Sequence, residues 1–140
     1  MKFTQFIAGI SFLFISTSAF AQYRATIDSL KKVEQSCLDS GRHMPSCVYQ
    51  FYVQIDSLMN VVYNRLQQLL QTDEKILLKK QQFSWLRKRD IYFKERKEIY
   101  MDSIISGAWG SGMRVIPLDE KARFVEKRVF VLIKKLPGKH

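Results

Sequence analysis

Val48, Phe51, Ile55, Leu58, Val62, Leu66 and Leu69 follow one another in steps of three or four. That spacing keeps side chains on one face of an α-helix. Tyr52, Met59, Tyr63 and Leu70 widen the stripe, so this helix is predicted to sit centrally and to touch more than one neighbour. Ahead of it, from about Arg24 to Ser36, a weaker apolar pattern runs through Ile27, Leu30 and Val33. The polar run Asp39-Ser40-Gly41-Arg42-His43-Met44 separates the two as a turn, and Pro45 suits the first turn of the second helix, where its missing N–H costs nothing. Thr72 is placed to cap a third helix, with Asp73 and Glu74 at its positive end. No Gly or Pro interrupts the chain from there to about Tyr100, a helix of roughly 42 Å. Residues 102–117 break the pattern, and Gly107–Gly112 with Pro117 read as a surface loop. Asp119-Glu120 then open a fourth helix with the stripe Ala122, Val125, Val129, Leu132 and Leu136, stopped by Pro137-Gly138.

The pattern predicts an all-α fold: a small bundle of about four helices, with the two long central ones antiparallel because their connection is short. At 140 residues the chain supports one domain's core rather than two. Six Gly and three Pro are too few for a sandwich with a turn every few residues, and 46% hydrophobic content excludes wholesale disorder.

Residues 1–21 have a different composition. Lys2 precedes the apolar run Phe6–Ile15, and Ala19-Phe20-Ala21 has the A-x-A form of a signal cleavage site. The run is short for a membrane span, and no second one follows. The sequence therefore predicts a signal peptide over 1–21, a single domain over 22–140, and export to the periplasm or the medium with no transmembrane segment after cleavage. Cys37 and Cys47 fit that destination, because an even cysteine count in an exported chain points to a disulfide. His43 lies between them, but one His and two Cys without C-x2-C spacing make a poor metal site. Neither a metal nor a cofactor is expected.

Charge refines the picture. Net charge is +10, concentrated late in the chain: residues 22–71 carry +1, residues 72–100 carry +4 and residues 114–140 carry +5. The last two helices thus bear a basic surface, either a plain solvated face or one drawn to an anionic envelope component. Export argues against nucleic acid as the partner.

Three motifs carry a resemblance to a known family. Asp56-Ser57-Leu58-Met59-Asn60-Val61-Val62-Tyr63 fits D-x-x-[LM]-N-x-x-Y, and Gln82-Phe83-Ser84-Trp85-Leu86-Arg87-Lys88-Arg89-Asp90 fits Q-x-x-W-x-x-x-R-D. Arg128 is followed four residues later by Leu132. In this order, behind a signal peptide and a cysteine pair, they resemble the LprI-type lysozyme inhibitors over about Cys37 to Leu136. The resemblance implies a helical, exported, non-enzymatic protein that binds lysozyme or another cell-wall hydrolase. It also implies a second cysteine pair, which this chain lacks: Phe93 stands at the first of those positions and nothing after Cys47 is a cysteine. Apolar packing must then hold the last helix. Val125 replaces the Thr expected three residues before Arg128.

Gln82, Trp85 and Arg89 share one face of the third helix, and Asn60 and Tyr63 flank the stripe of the second. If these faces meet, the polar groups need partners, for which Asp56 and Asp90 are available. They then form either a buried network that fixes helix register or a ligand-contacting patch. No catalytic pair is visible. The carboxylates lie among Lys and Arg, which disfavours a general acid, and no Ser–His spacing suggests a nucleophile. The Gly107–Gly112 segment lacks the G-K-[ST] ending of a phosphate loop, although Trp109 within it is a candidate contact. Two readings follow: a lysozyme-inhibitor-like binding protein, or an envelope-associated module whose basic helices bind an anionic polymer.

Overall fold

A computed structural model describes residues 19–107 and 115–137. Four helices make up its regular structure: α1 (Ala19–Asp39), α2 (Met44–Leu69), α3 (Thr72–Ile105) and α4 (Ile116–Ile133). The core forms where the predicted stripes meet. Val48, Phe51, Ile55, Leu58, Met59, Val62 and Leu66 of α2 are buried, as are Ala122, Val125, Val129 and Leu132 of α4. Ile27 of α1, Leu78 of α3 and Leu136 close the cluster. Each such Leu, Ile, Val or Phe contributes about 1.5–3 kcal/mol on leaving water. The central element is α2, packed chiefly against α4 and then α1.

Helix boundaries differ from the sequence expectation for identifiable reasons. The first helix starts at Ala19 rather than Arg24, and Ala19 and Phe20 pack against the core. The third helix is capped by Gln71, not Thr72: the Glu74 carboxylate accepts the Gln71 backbone N–H at 3.1 Å. It also runs on to Ile105, into the expected loop. The fourth helix begins at Ile116, with Pro117 in its first turn rather than in a loop.

Two stripe positions turn outward. Leu69 is 38% exposed because the inward step after Leu66 is four residues, to Leu70. Val33 is 59% exposed because Glu34 takes the inward position on α1. Glu34 is held there by an ion cluster. Its Oε2 accepts Arg123 Nη2 at 2.6 Å, while the same guanidinium reaches Asp119 at 3.0 Å and Glu126 at 3.3 Å. Lys31 meets Glu126 at 3.2 Å, so α1 is tied twice to α4.

The turn between α1 and α2 is spanned by a Cys37–Cys47 disulfide with a Cα–Cα distance of 5.7 Å. The reversal needs left-handed backbone at Gly41 (φ 67°) and His43 (φ 53°), which glycine supplies freely and histidine at some cost. No helix among the described residues is long and apolar enough to cross a membrane.

Candidate functional site

One groove between α2 and α3 gathers most of the motif residues. Asp56, Asn60 and Tyr63 lie one helical turn apart on α2, with Met59 beneath them. Gln82 and Arg89 face them from α3, alongside Lys79, Phe83 and Leu86. The groove holds about 320 Å³ and opens to solvent. It exists because α3 buries only Leu78 and Gln82, leaving its remaining apolar side chains partly or fully exposed. Phe83 on the groove wall is 62% exposed.

The floor is polar and organised. Arg128 reaches across from α4 and donates from Nε and Nη2 to the single Oε1 of Gln82, at 2.9 and 2.8 Å. The Gln82 amide donates in turn to Met59 Sδ at 3.8 Å. Burial lowers the Arg128 pKa from the usual guanidinium range, with Tyr63 a smaller opposing influence. Its cation rests against Trp85, 5.7 Å from the ring centroid.

Trp85 belongs to an aromatic seam that packs α4 against α3. Phe124 of α4 stacks on Trp85 at 5.7 Å and on Tyr92 at 4.6 Å. Phe93 meets Phe124 at 6.3 Å and Tyr52 of α2 at 6.0 Å, linking three helices from the position where the family resemblance implies a cysteine. Phe124 carried no motif signal; only its position between the inward Ala122 and Val125 hinted at packing.

The remaining candidates are distributed as follows. Arg89 is half-buried, packed over Trp85 at 5.8 Å and Phe93 at 5.9 Å, and paired with its neighbour Asp90 at 2.8 Å. Asp90 itself is exposed, outside the groove lining. Asp56 keeps one oxygen, Oδ1, buried without a hydrogen-bond partner. Burial first, and then the Asp56 charge, push the Tyr52 phenol above its ordinary range. The Tyr63 hydroxyl accepts from Gln67 at 3.2 Å. Trp109 lies outside the described residues. The motif residues thus divide. Gln82, Trp85 and Arg128 tie the helices together, while Asp56, Asn60, Tyr63 and Arg89 face an accessible groove. Lys79 and Phe83 complete the groove; they lie four residues apart on one face of α3, Lys79 one turn before Gln82 and Phe83 next to it, and that spacing was the signal that could have found them.

The groove presents a carboxylate, an amide, a phenol, two cations and exposed apolar walls, suited to a hydrogen-bonding segment of a partner. Both cysteine sulfurs are consumed in the disulfide, and among the described residues no three His, Cys, Asp or Glu side chains converge as a metal would require.

Among curated proteins and among solved structures, nothing matches the chain. Residues 34–132 match the family described as lysozyme inhibitor LprI, a span that includes α2, α3 and nearly all of α4; the chain belongs to that family.

Proposed function

We propose that the protein is an exported, non-enzymatic lysozyme-binding protein that shields the cell wall, with the α2–α3 groove as its contact surface. In this reading residues 1–21 are a signal peptide and residues 22–140 the working domain. One observation carries it: Asp56, Asn60, Tyr63 and Arg89, four of the residues that carry the family resemblance, line a single open groove above the buried Gln82. The Cys37–Cys47 bridge suits an oxidising compartment. Another cell-wall hydrolase with a similar surface is a related target.

The test is a lysozyme activity assay with the purified protein across ionic strengths, repeated with Asn60→Arg. Asn60 is exposed, so the substitution crowds the groove without touching the core. Inhibition by the parent and its loss in the variant are expected. Failure to inhibit at any ionic strength overturns the reading.

A second reading has its own support. Lys127 on α4 and Lys134 and Lys135 just beyond its end are exposed, and Lys80, Arg87, Lys88, Lys94 and Lys97 are exposed along α3. These charges suit an anionic envelope polymer bound through the basic helices.

A further inference from the structure

A second cleft opens between α1 and α2, away from every motif residue, and holds about 210 Å³. By the same measure one water needs only about 10–15 Å³, so a short alkyl chain fits. Leu30 and Phe51 give it apolar walls, Gln50 and Gln54 stand at its edge, and the Cys37–Cys47 bridge closes one end. Glu34 lines it as well, only 4% exposed.

Glu34 is half-satisfied. Its Oε2 accepts from Arg123 at 2.6 Å, while its Oε1 is buried with no hydrogen-bond partner. A buried carboxylate oxygen without a donor is costly to leave so. The surrounding ion cluster does not remedy this. Among the described residues Glu34, Asp119 and Glu126 are joined by Arg123 and Lys31, three carboxylates to two cations. Within that cluster the carboxylates outnumber the cations by one, in a chain of net charge +10. What the cleft lacks is a cationic donor on a slim apolar stem.

We propose that this cleft binds a lysine side chain of a protein partner, its methylenes against Leu30 and Phe51 and its ammonium donating to Glu34 and to the side-chain oxygens of Gln50 and Gln54. The choice of a protein partner rests on the lysozyme-binding reading; the site chemistry does not. A local negative site of this kind lets a basic inhibitor approach a basic enzyme without meeting only like charge.

The experiment titrates isotope-labelled protein with Nα-acetyl-lysine N-methylamide, followed by NMR, against the norleucine analogue of the same shape without the ammonium. Resonances of Glu34, Gln50 and Gln54 are expected to shift with the lysine probe, saturating in the millimolar range, and not with norleucine. Glu34→Gln should abolish the shifts. Because that change also weakens an ion cluster, Val33→Lys serves as a second variant. It adds an ammonium at an exposed position of the cleft lining and should abolish them in a fully folded protein. No shift, an equal shift with norleucine, or a shift that survives Val33→Lys overturns the proposal. Lysozyme inhibition without lysine-probe binding removes the cleft and leaves the groove; lysine-probe binding without inhibition does the reverse.

Discussion

Arg128 on α4 spends two of its N–H groups on one oxygen of Gln82 on α3, a neutral acceptor for a buried cation. No carboxylate shares the guanidinium among the described residues, so the amide and the Trp85 ring carry its stabilisation. Hydrogen bonds to charged groups contribute about 1.5–3 kcal/mol each, and losing one partner strands the other. Gln82→Leu is therefore expected to destabilise by about 2–4 kcal/mol, measured by urea unfolding. Adding Arg128→Met should recover at least half of that loss, because neither polar group is then stranded. Additive penalties in the double variant would show that the pair is not coupled.

Arg89 belongs to a different class, despite sharing a motif with Gln82. Its salt-bridge partner Asp90 is 66% exposed, and pairs of that kind contribute roughly 0–1 kcal/mol. Cation–π contact with Trp85 and Phe93 adds a comparable amount. Arg89→Ala should then leave the thermal midpoint within a few degrees of the parent while weakening lysozyme inhibition about tenfold, equivalent to about 1.4 kcal/mol. A collapse in stability would place Arg89 with the structural network.

The contrast shows what the sequence could disclose. Periodicity marked the buried faces of α2 and α4 almost residue by residue, since a step of three or four is set by helix geometry. It failed at Leu69 and Val33, where steps of three and four both fit and tertiary packing chose. The choice of Glu34 over Val33 depended on Arg123, 89 residues away, which no local pattern encodes. The rule that places Pro in a first helical turn located α2 correctly and, applied to Pro117, locates the start of α4 as well. The motif residues were legible as a set. Their division into floor and wall was not, because it depends on how far α3 stands off from α2.

Glu34 makes the fold sensitive to acid in an unusual direction. Burial raises its pKa above 4.5, outweighing the hydrogen bond and charge of Arg123 that lower it; Asp119 and Glu126 add to the rise. A carboxyl whose folded pKa exceeds the unfolded value binds its proton more tightly when folded. Between those two values the folded state holds more protons, so this group's contribution to stability falls as pH rises through the window. Glu34→Gln, a neutral isostere, should remove that component. Unfolding curves taken from pH 4.5 upward should show parent and variant closest at the acid end, with the variant gaining relative stability as pH rises. A constant difference across the range would mean that the Glu34 pKa is the same in the folded and unfolded chain.

The disulfide closes a short loop, and in the chain-entropy model a link of this span contributes about 2–3 kcal/mol. The Cys37→Ser, Cys47→Ser double variant should lose about that much while keeping its helical circular dichroism, since the α2–α4 core does not involve the bridge. Complete unfolding at room temperature would show that the bridge, and not the core, sets the position of α1.

Salt separates the two functional readings. Exposed charges are screened beyond about 8–10 Å at physiological ionic strength. Binding of an anionic polymer through Lys127, Lys134 and Lys135 should therefore weaken steeply with added salt, and reversing these three lysines to glutamate should weaken it further. All three are exposed, so the helix should survive the change, apart from about 0.3–1 kcal/mol for acidic groups near a helix C-terminus. Lysozyme binding through the groove predicts the opposite. A basic enzyme approaching a chain of net charge +10 is repelled at long range, so salt should leave inhibition intact or improve it modestly, and the reversed lysines should speed association. The decisive comparison is inhibition by parent and triple variant at low and high salt. Stronger inhibition by the variant at low salt, converging with the parent at high salt, places lysozyme on the groove and leaves the basic face as a solvated surface; inhibition that disappears with the three lysines moves the contact to α4.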